Sequence, residues 1–320
     1  MTGAQGSEAV EPARPEHFDV LIVGAGLSGV GGAYHLTKQC PGTSFLVLEA
    51  MDSFGGTWLT HKYPGVRSDS DLYTYGYRFK PWTGPPIATG TEILAYIGEV
   101  IAENDLGRHI RYRHRISAAQ WSSDKKLALI PGGDLFRSIT SGKVSVVTDE
   151  IDRFTEKGVL LKSGDQIAAD VIVTATGFNL SVLGDIDFVI DGAKLNLADT
   201  VTYHGVMFTG VPNMAWVFGY LRESWTMRSD LVSDFVCRLL NHMKDKGVSQ
   251  ATPALRPEDK DMALLPWIDP ENFNPGYLMR GMHLLPKRGA KKEWSHTQDY
   301  WTDKDLFPAI DLDDGALAYA

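Results

Sequence analysis

The chain has 320 residues, 43% of them hydrophobic and 22% charged, a composition that suits a folded globular protein and excludes a fibrous or disordered one. Its 31 basic side chains against 40 acidic ones leave a net charge of −9, which speaks against nucleic acid as a main partner because phosphate binding needs clustered cations. Two cysteines, Cys40 and Cys237, are too few for a disulfide framework or a four-thiolate zinc site, and no apolar run reaches the ~20 residues of a membrane span, so a cytoplasmic protein without membrane or metal is expected.

Residues 1–16 are small, polar and proline-containing, lack the order of a signal peptide, and are expected to form a flexible N-terminus. Asp19-Val-Leu-Ile-Val23 reads as a short buried strand. Gly24-Ala-Gly26-Leu-Ser-Gly29 follows directly and opens an apolar helical stretch that Pro41-Gly42 stops. Ser44–Leu48 is a second buried strand, so the N-terminus predicts a βαβ unit with parallel strands. Asp52 to Pro86 has little helical period and reads as a long ordered loop. Thr91 to Asn104 predicts an amphipathic helix capped by Thr91, with Ile93, Leu94, Ile97, Val100 and Ile101 on one face and Gly107 near its stop.

Further strands are expected at Ile110–Trp121, Lys143–Thr148, Gly158–Lys162 and Asp170–Ala175, the third closed by a turn at Ser163-Gly164-Asp165. The strongest helical signal runs from Trp225 to Lys246, with Ser224 as cap and Gly247 as stop, and Leu231, Val232, Phe235, Val236, Leu239, Leu240 and Met243 along its apolar stripe. The last seventy residues, rich in Pro, Trp and charge, read as irregular cover. The basic cluster Lys287-Arg288 with Lys291-Lys292 reads as a solvated face. The fold class is therefore α/β, a Rossmann-like dinucleotide-binding domain with a parallel sheet, additional strands and a helical C-terminal part.

The chemistry lies in the first βαβ unit. A lone Gly-x-Gly-x-x-Gly is weak evidence in a chain with 32 glycines, but here it joins a strand to a helix, and Glu49 ends the next strand twenty residues after Gly29. Gly24 allows the tight turn, Gly26 lets backbone approach a pyrophosphate, and Gly29 brings helix and strand together. The helix N-terminus presents free N–H groups to the anion, and Glu49 is placed to accept from ribose hydroxyls. These features do not choose between FAD and NAD, which share the adenosine diphosphate half. A glycine-rich turn in an unrelated α/β domain is the competing reading.

Gly55-Gly56-Thr57-Trp58, Tyr63-Pro64-Gly65-Val66-Arg67-Ser68-Asp69, Ala175-Thr176-Gly177, and Gly210–Tyr220 with Ser224-Trp225-Thr226 resemble class B flavoprotein monooxygenases, the family of flavin-containing and Baeyer–Villiger monooxygenases. The likeness covers most of residues 18–250 and implies FAD as cofactor. It places Gly56, Thr57 and Trp58 beside the span from diphosphate to flavin, Asp69 and Tyr75 near the isoalloxazine, Ile116 against the adenine and Gly177 against the diphosphate. Asp69 and Arg67 are the candidate catalytic pair. The resemblance also implies that the helix beginning near Thr226 aims its positive end at the flavin pyrimidine. Trp58 and Tyr75 read equally well as core aromatics, Asp69 as a solvated acid or one paired with Arg67, and Thr226 as a cap.

The family carries a second, NADPH-binding domain inserted into the first, and no second Gly-x-Gly-x-x-Gly opens a strand-to-helix junction here. The fingerprint Phe-x-Gly-x-x-x-His-x-x-x-Trp is absent as well: Phe54 and Gly56 begin it, but His61 falls one residue late. The expected organisation is a single FAD-binding domain over residues 17–320, with a deletion junction near 122–131 and the arginine that Baeyer–Villiger members supply from the lost region gone with it. The reading that results is an oxidase-like flavoprotein that takes electrons from an external small-molecule donor or substrate and passes them to dioxygen. A flavin-binding scaffold without turnover and an NADPH-dependent monooxygenase with an open cleft are the alternatives.

Overall fold

Strand β1 (Val20–Val23), helix α1 (Leu27–Gln39) and strand β2 (Phe45–Leu48) form the expected βαβ unit in the computed structural model, which describes residues 18–115, 147, 149–172, 179–271 and 273–320. β1 pairs in parallel with β2, Val20 opposite Phe45, and β2 pairs in parallel with the two-residue strand β3 (Ile110–Arg111). β2 is buried, as its unbroken apolar sequence requires. β1 departs from the expectation: Leu21 and Val23 are 56% and 51% exposed, because they share the face of the strand that no described element covers. Of the strand expected over Ile110–Trp121 the structure describes residues 110–115, of which Ile110 and Arg111 form the strand and Tyr112 and Arg113 bend away; residues 116–121 lie outside the described residues.

The long loop folds back in two single helical turns, α2 (Thr57–Thr60) and α3 (Leu72–Tyr75), the second capped by Asp71, whose carboxylate accepts from the Thr74 N–H. Helix α4 (Gly90–Glu103) is capped by Thr89, not Thr91. Thr89 and Glu92 form a reciprocal capping box, the Thr-x-x-Glu spacing that the apolar period alone does not reveal. α4 ends at Asn104 rather than at Gly107, which lies in the following 3₁₀ turn (Leu106–His109). Its Ile93, Ile97, Val100 and Ile101 join Val30, Leu36 and Val47 in a first core.

Strands β4 (Ile151–Thr155), β5 (Gly158–Leu161) and β6 (Gln166–Ala168) make a small antiparallel meander, with the turn at Ser163-Gly164-Asp165 as expected. Asp170, Val171 and Ile172 are not in a strand, and Val171 is 77% exposed, which corrects the first half of the buried strand expected there. The rest of that strand, the strand expected over Lys143–Thr148 apart from the exposed Val147, and the junction at 122–131 lie outside the described residues.

Helix α5 (Trp225–Lys246) has the expected bounds and ends at Gly247 in a left-handed conformation. It is wedged between two cores. Cys237 and Leu240 face the first, while Leu231, Phe235, Leu239 and Met243 face a second built with Trp294, Phe307, Ile310 and Leu317. The C-terminal seventy residues are therefore core-forming rather than cover. Ala251–Pro253 pairs with Leu317–Tyr319, and Leu264–Pro266 with Lys287–Gly289. A third, aromatic cluster holds Phe208, Trp216, Phe218 and Trp267.

A charged cluster fastens α5 to α1. His35 Nε2 lies 3.0 Å from Asp230 Oδ1, and its Nδ1 lies 3.1 Å from Asp234 Oδ1. Arg78 reaches the same two acids at 3.2 and 2.6 Å. Burial works against the imidazolium, but the bonds and charges of Asp230 and Asp234 outweigh it and raise the His35 pKa from 6.5 to about 9. A raised histidine pKa contributes stability that is complete below the unfolded value and lost as pH climbs through the folded one. The stability of the protein is thus expected to fall by roughly 3 kcal/mol between about pH 6.5 and about pH 9. Thermal melts across that range should show the fall in the native protein and a flatter profile in His35→Gln. Equal profiles would show that the imidazolium is not what holds the two helices.

Candidate functional site

The glycine-rich turn does two of its three tasks within the chain. Gly24 has φ +93°, a backbone state that L side chains rarely adopt, and its N–H donates to the Leu48 carbonyl at 2.8 Å. A Cβ on Gly29 would stand 1.9 Å from the Gly24 carbonyl oxygen, so helix and strand meet only because residue 29 has no side chain. Gly26 differs. Its φ of −81° suits any residue, and a Cβ there would make ordinary contact, 3.6 Å from Gly56 Cα. Nothing in the described chain demands glycine at position 26.

Glu49 closes the turn from below. Its Oε2 accepts the Ala25 N–H at 2.7 Å and its Oε1 the Met51 N–H at 2.8 Å, and the residue is 6% exposed. The sequence places an acid here facing a ligand; the structure adds that the same carboxylate holds the turn in shape.

Gly55 and Gly56 lie against this turn backbone to backbone, the Gly55 N–H donating to the Ala25 carbonyl at 2.9 Å. From there the chain enters α2, whose Thr57 and Trp58 line a cavity of about 700 Å³. Asp69 and Tyr75 line it too, so four of the residues singled out in the sequence share one wall. Trp58 Nε1 donates to the Tyr75 hydroxyl at 3.2 Å. Burial, with the nearby Asp69 charge, pushes the Tyr75 phenol up to about 12 against the opposing pull of that indole bond, and the phenol stays neutral. Both aromatics thus belong to the edge of the first core and to the cavity at once. Arg67 sits two residues before Asp69 in an extended segment bridged to Thr89 and is not a lining residue.

The start of α5 lines the cavity as well. Ser224 and Trp225 line the cavity, and the Trp225 indole donates to Ser28 Oγ at 3.0 Å, joining this wall to the first turn of α1. Ser224 is the N-terminal boundary residue of α5, yet its side chain makes no capping bond, and its buried Oγ has no partner. Thr226 is buried and does not line the cavity. Its hydroxyl donates to the Tyr75 carbonyl at 2.7 Å, tying the two walls together. The buried indole N–H of Trp216, another lining residue, is also unpartnered. The rest of the lining is largely apolar, from Phe218, Leu278 and Leu285 among others; Phe218 lies in the Gly210–Tyr220 stretch that carries the resemblance, whereas Leu278 and Leu285 escape a sequence reading because the C-terminal segment has no readable period. Ile116 and Gly177 lie outside the described residues.

A family profile described as an NAD(P)-binding Rossmann-like domain matches residues 22–81. The chain is 30% identical to the FAD-containing monooxygenase EthA of Mycobacterium tuberculosis over 484 aligned positions, which take in 95% of this chain and 98% of that protein. It is 26% identical to the probable FAD-binding monooxygenase AlmA of an Acinetobacter species, over 95% of this chain and 96% of that one. In fold it is similar to an oxidized steroid monooxygenase bound to NADP, with a TM-score of 0.66 at 14% identity over 94% of this chain and 99% of that chain. The OTEMO complex with FAD and NADP gives a TM-score of 0.65 at 14% identity, over 96% and 100%.

Proposed function

The chain belongs to the class B flavoprotein monooxygenases, the FAD-containing monooxygenases, and from that premise we propose that it is an FAD-dependent oxidoreductase working without the family's NADPH domain, taking electrons from an external donor and giving them to dioxygen. The observation that carries the FAD half is the continuity of the site. Gly24, Gly26 and Gly29 lead through Gly56 to Thr57 and Trp58, and so into a cavity closed by the N-terminus of α5.

The residues present fit the group. Gly26 is free of any demand from its own fold, which suits a position kept open for a diphosphate. The first turn of α1 would offer its N–H groups to that diphosphate. Ser224 Oγ and the first amides of α5 would bond the carbonyl edge of the isoalloxazine, where the helix dipole favours negative charge. Trp58 and Tyr75 would pack beside the ring, the neutral Tyr75 hydroxyl held by the Trp58 indole, and Asp69 would stand at its rim. Bound FAD supplies two-electron redox chemistry and, when reduced, reaction with dioxygen. The chain's own part is to bind and orient it; on the apolar side, Phe218, Leu278 and Leu285 exclude water.

The missing domain is supported by arithmetic. An alignment of 484 positions against a chain of 320 residues leaves well over a hundred positions of EthA without a counterpart here. Without a site that orients nicotinamide, hydride transfer from NADPH loses the advantage of orientation.

The purified protein should show a flavin spectrum. Under anaerobic conditions dithionite should bleach it at once and NADPH only slowly, and admitting oxygen should restore it with hydrogen peroxide formed in equal amount. Absence of a flavin band after adding FAD would overturn the cofactor assignment. Rapid bleaching by NADPH, or ketone oxygenation coupled to it, would overturn the oxidase-like reading.

A further inference from the structure

A second cavity, of about 250 Å³, adjoins the first, and Leu221 and Arg222 line both. Its wall is rich in donors that the protein does not use. Trp267 is 1% exposed and its indole N–H has no partner. Gln298 accepts the Leu221 N–H through Oε1 at 2.7 Å, while its buried Nε2 has no partner. Arg288 donates from Nε to the Pro266 carbonyl at 2.9 Å, and Arg222 lies 5.9 Å from the Phe273 ring centre. Among the described residues neither guanidinium meets a carboxylate within ion-pair distance, in a chain with net charge −9. Arg288, part of the basic cluster expected to form a solvated face, is half-buried and also lines this cavity.

The acceptors on this wall are fewer. Asp269 lines it, with Oδ1 occupied by the Glu271 N–H at 3.0 Å. His296 also lines it and bonds the Trp267 carbonyl through Nε2 at 2.8 Å. The two cavities share more than their rim. Trp267 packs 4.6 Å from Phe218, so an aromatic contact joins the apolar part of the first cavity's lining to the donor-rich second one.

We propose that the second cavity is a subsite for the carboxylate head of an amphiphilic substrate whose apolar body lies in the first cavity against Phe218, Leu278 and Leu285. Two guanidiniums match a planar carboxylate through paired N–H donors. Asp269 disfavours a dianion, and a cavity of this size suits a small head group. The inference rests on the reading of the first cavity as the place where substrate meets FAD.

The test is titration of the purified holoprotein with decanoate, 2-decanone and acetate, followed by calorimetry and by tryptophan fluorescence, to which Trp267 contributes. Decanoate should bind at least about tenfold more tightly than 2-decanone, and acetate far more weakly than either. Arg288→Gln should bring decanoate and 2-decanone within about threefold of each other, with retained flavin absorbance reporting an intact fold. Equal binding of decanoate and 2-decanone by the native protein, or an unchanged preference in Arg288→Gln, would overturn the subsite. Acetate binding as tightly as decanoate would overturn its link to the apolar cavity. The two readings fail separately: a protein without flavin that keeps the decanoate preference supports the subsite while refuting the cofactor assignment, and a flavin-bearing protein without the preference does the reverse.

Discussion

Gly26→Val is expected to give a folded protein that no longer retains FAD, with affinity reduced at least about a hundredfold, or roughly 2.7 kcal/mol. The backbone at residue 26 has φ −81° and ψ −171°, which valine adopts readily, and the first atom of its side chain would make only a 3.6 Å contact with Gly56 Cα. The backbone and the first side-chain atom therefore leave room for the change, and the fold is expected to tolerate it. The diphosphate would not, since the branched side chain stands in front of the free N–H groups of the first turn of α1. Gly29→Ala is the matched control. Its Cβ would fall 1.9 Å from the Gly24 carbonyl oxygen, forcing strand β1 and helix α1 apart, so it should lose ellipticity and flavin together. Circular dichroism and a titration with FAD separate the two outcomes. A Gly26→Val protein that binds FAD as the native protein does would place the diphosphate elsewhere.

That contrast shows what a sequence discloses about such a site. The roles of Gly24 and Gly29 are legible because they concern neighbours in the chain: a turn of positive φ, and a strand packed on the helix that follows it. Glu49 is legible as an acid at a strand end, but not the fact that its oxygens already accept from Ala25 and Met51. Those bonds depend on how the loop after β2 curls back, which no periodicity records. The sequence points to Thr91 rather than Thr89 because the apolar face of α4 fixes where the helix lies, and not which hydroxyl meets the Glu92 amide. The C-terminal segment was least legible. It places Trp294, Phe307, Ile310 and Leu317 in a core through short pairings and 3₁₀ turns, where contact partners lie far apart in sequence. The apolar and donor-rich walls of both cavities come from this same segment and from the residues leading into α5, so a reading based on local pattern finds the glycine end of the site and misses the substrate end.

The buried pair Arg228–Asp303 is the other position where a large effect is expected. Each side chain is 1% exposed, and they are in direct contact. Asp303 also accepts from the Tyr220 hydroxyl at 3.0 Å and from the Thr297 hydroxyl at 2.7 Å. Arg228 donates to the His204 carbonyl at 3.0 Å, and its guanidinium lies 5.1 Å from the Phe307 ring centre. The pair is far from neutral in its consequences, because α5 contributes the arginine, helix Tyr300–Leu306 contributes the aspartate, and Tyr220 between them lines the larger cavity. Arg228→Met fills much of the same volume but leaves a carboxylate buried with two hydroxyl donors and no cation. Breaking such a pair from one side costs roughly 3–5 kcal/mol, since the surviving charge keeps its desolvation penalty. The variant should melt well below the native protein and hold FAD less tightly, because the Asp303 carboxylate that the Tyr220 hydroxyl bonds loses its tie to α5. Asp303→Asn combined with Arg228→Met should recover a large part of the stability, since the amide oxygen keeps one hydroxyl bond as acceptor while the amide NH2 donates to the oxygen of the other hydroxyl, and no charge is left buried. Chemical denaturation of the native protein, the single variant and the double variant measures both steps. A single variant within about 1 kcal/mol of the native protein would mean that water reaches Asp303 and that the pair does not anchor this wall of the site.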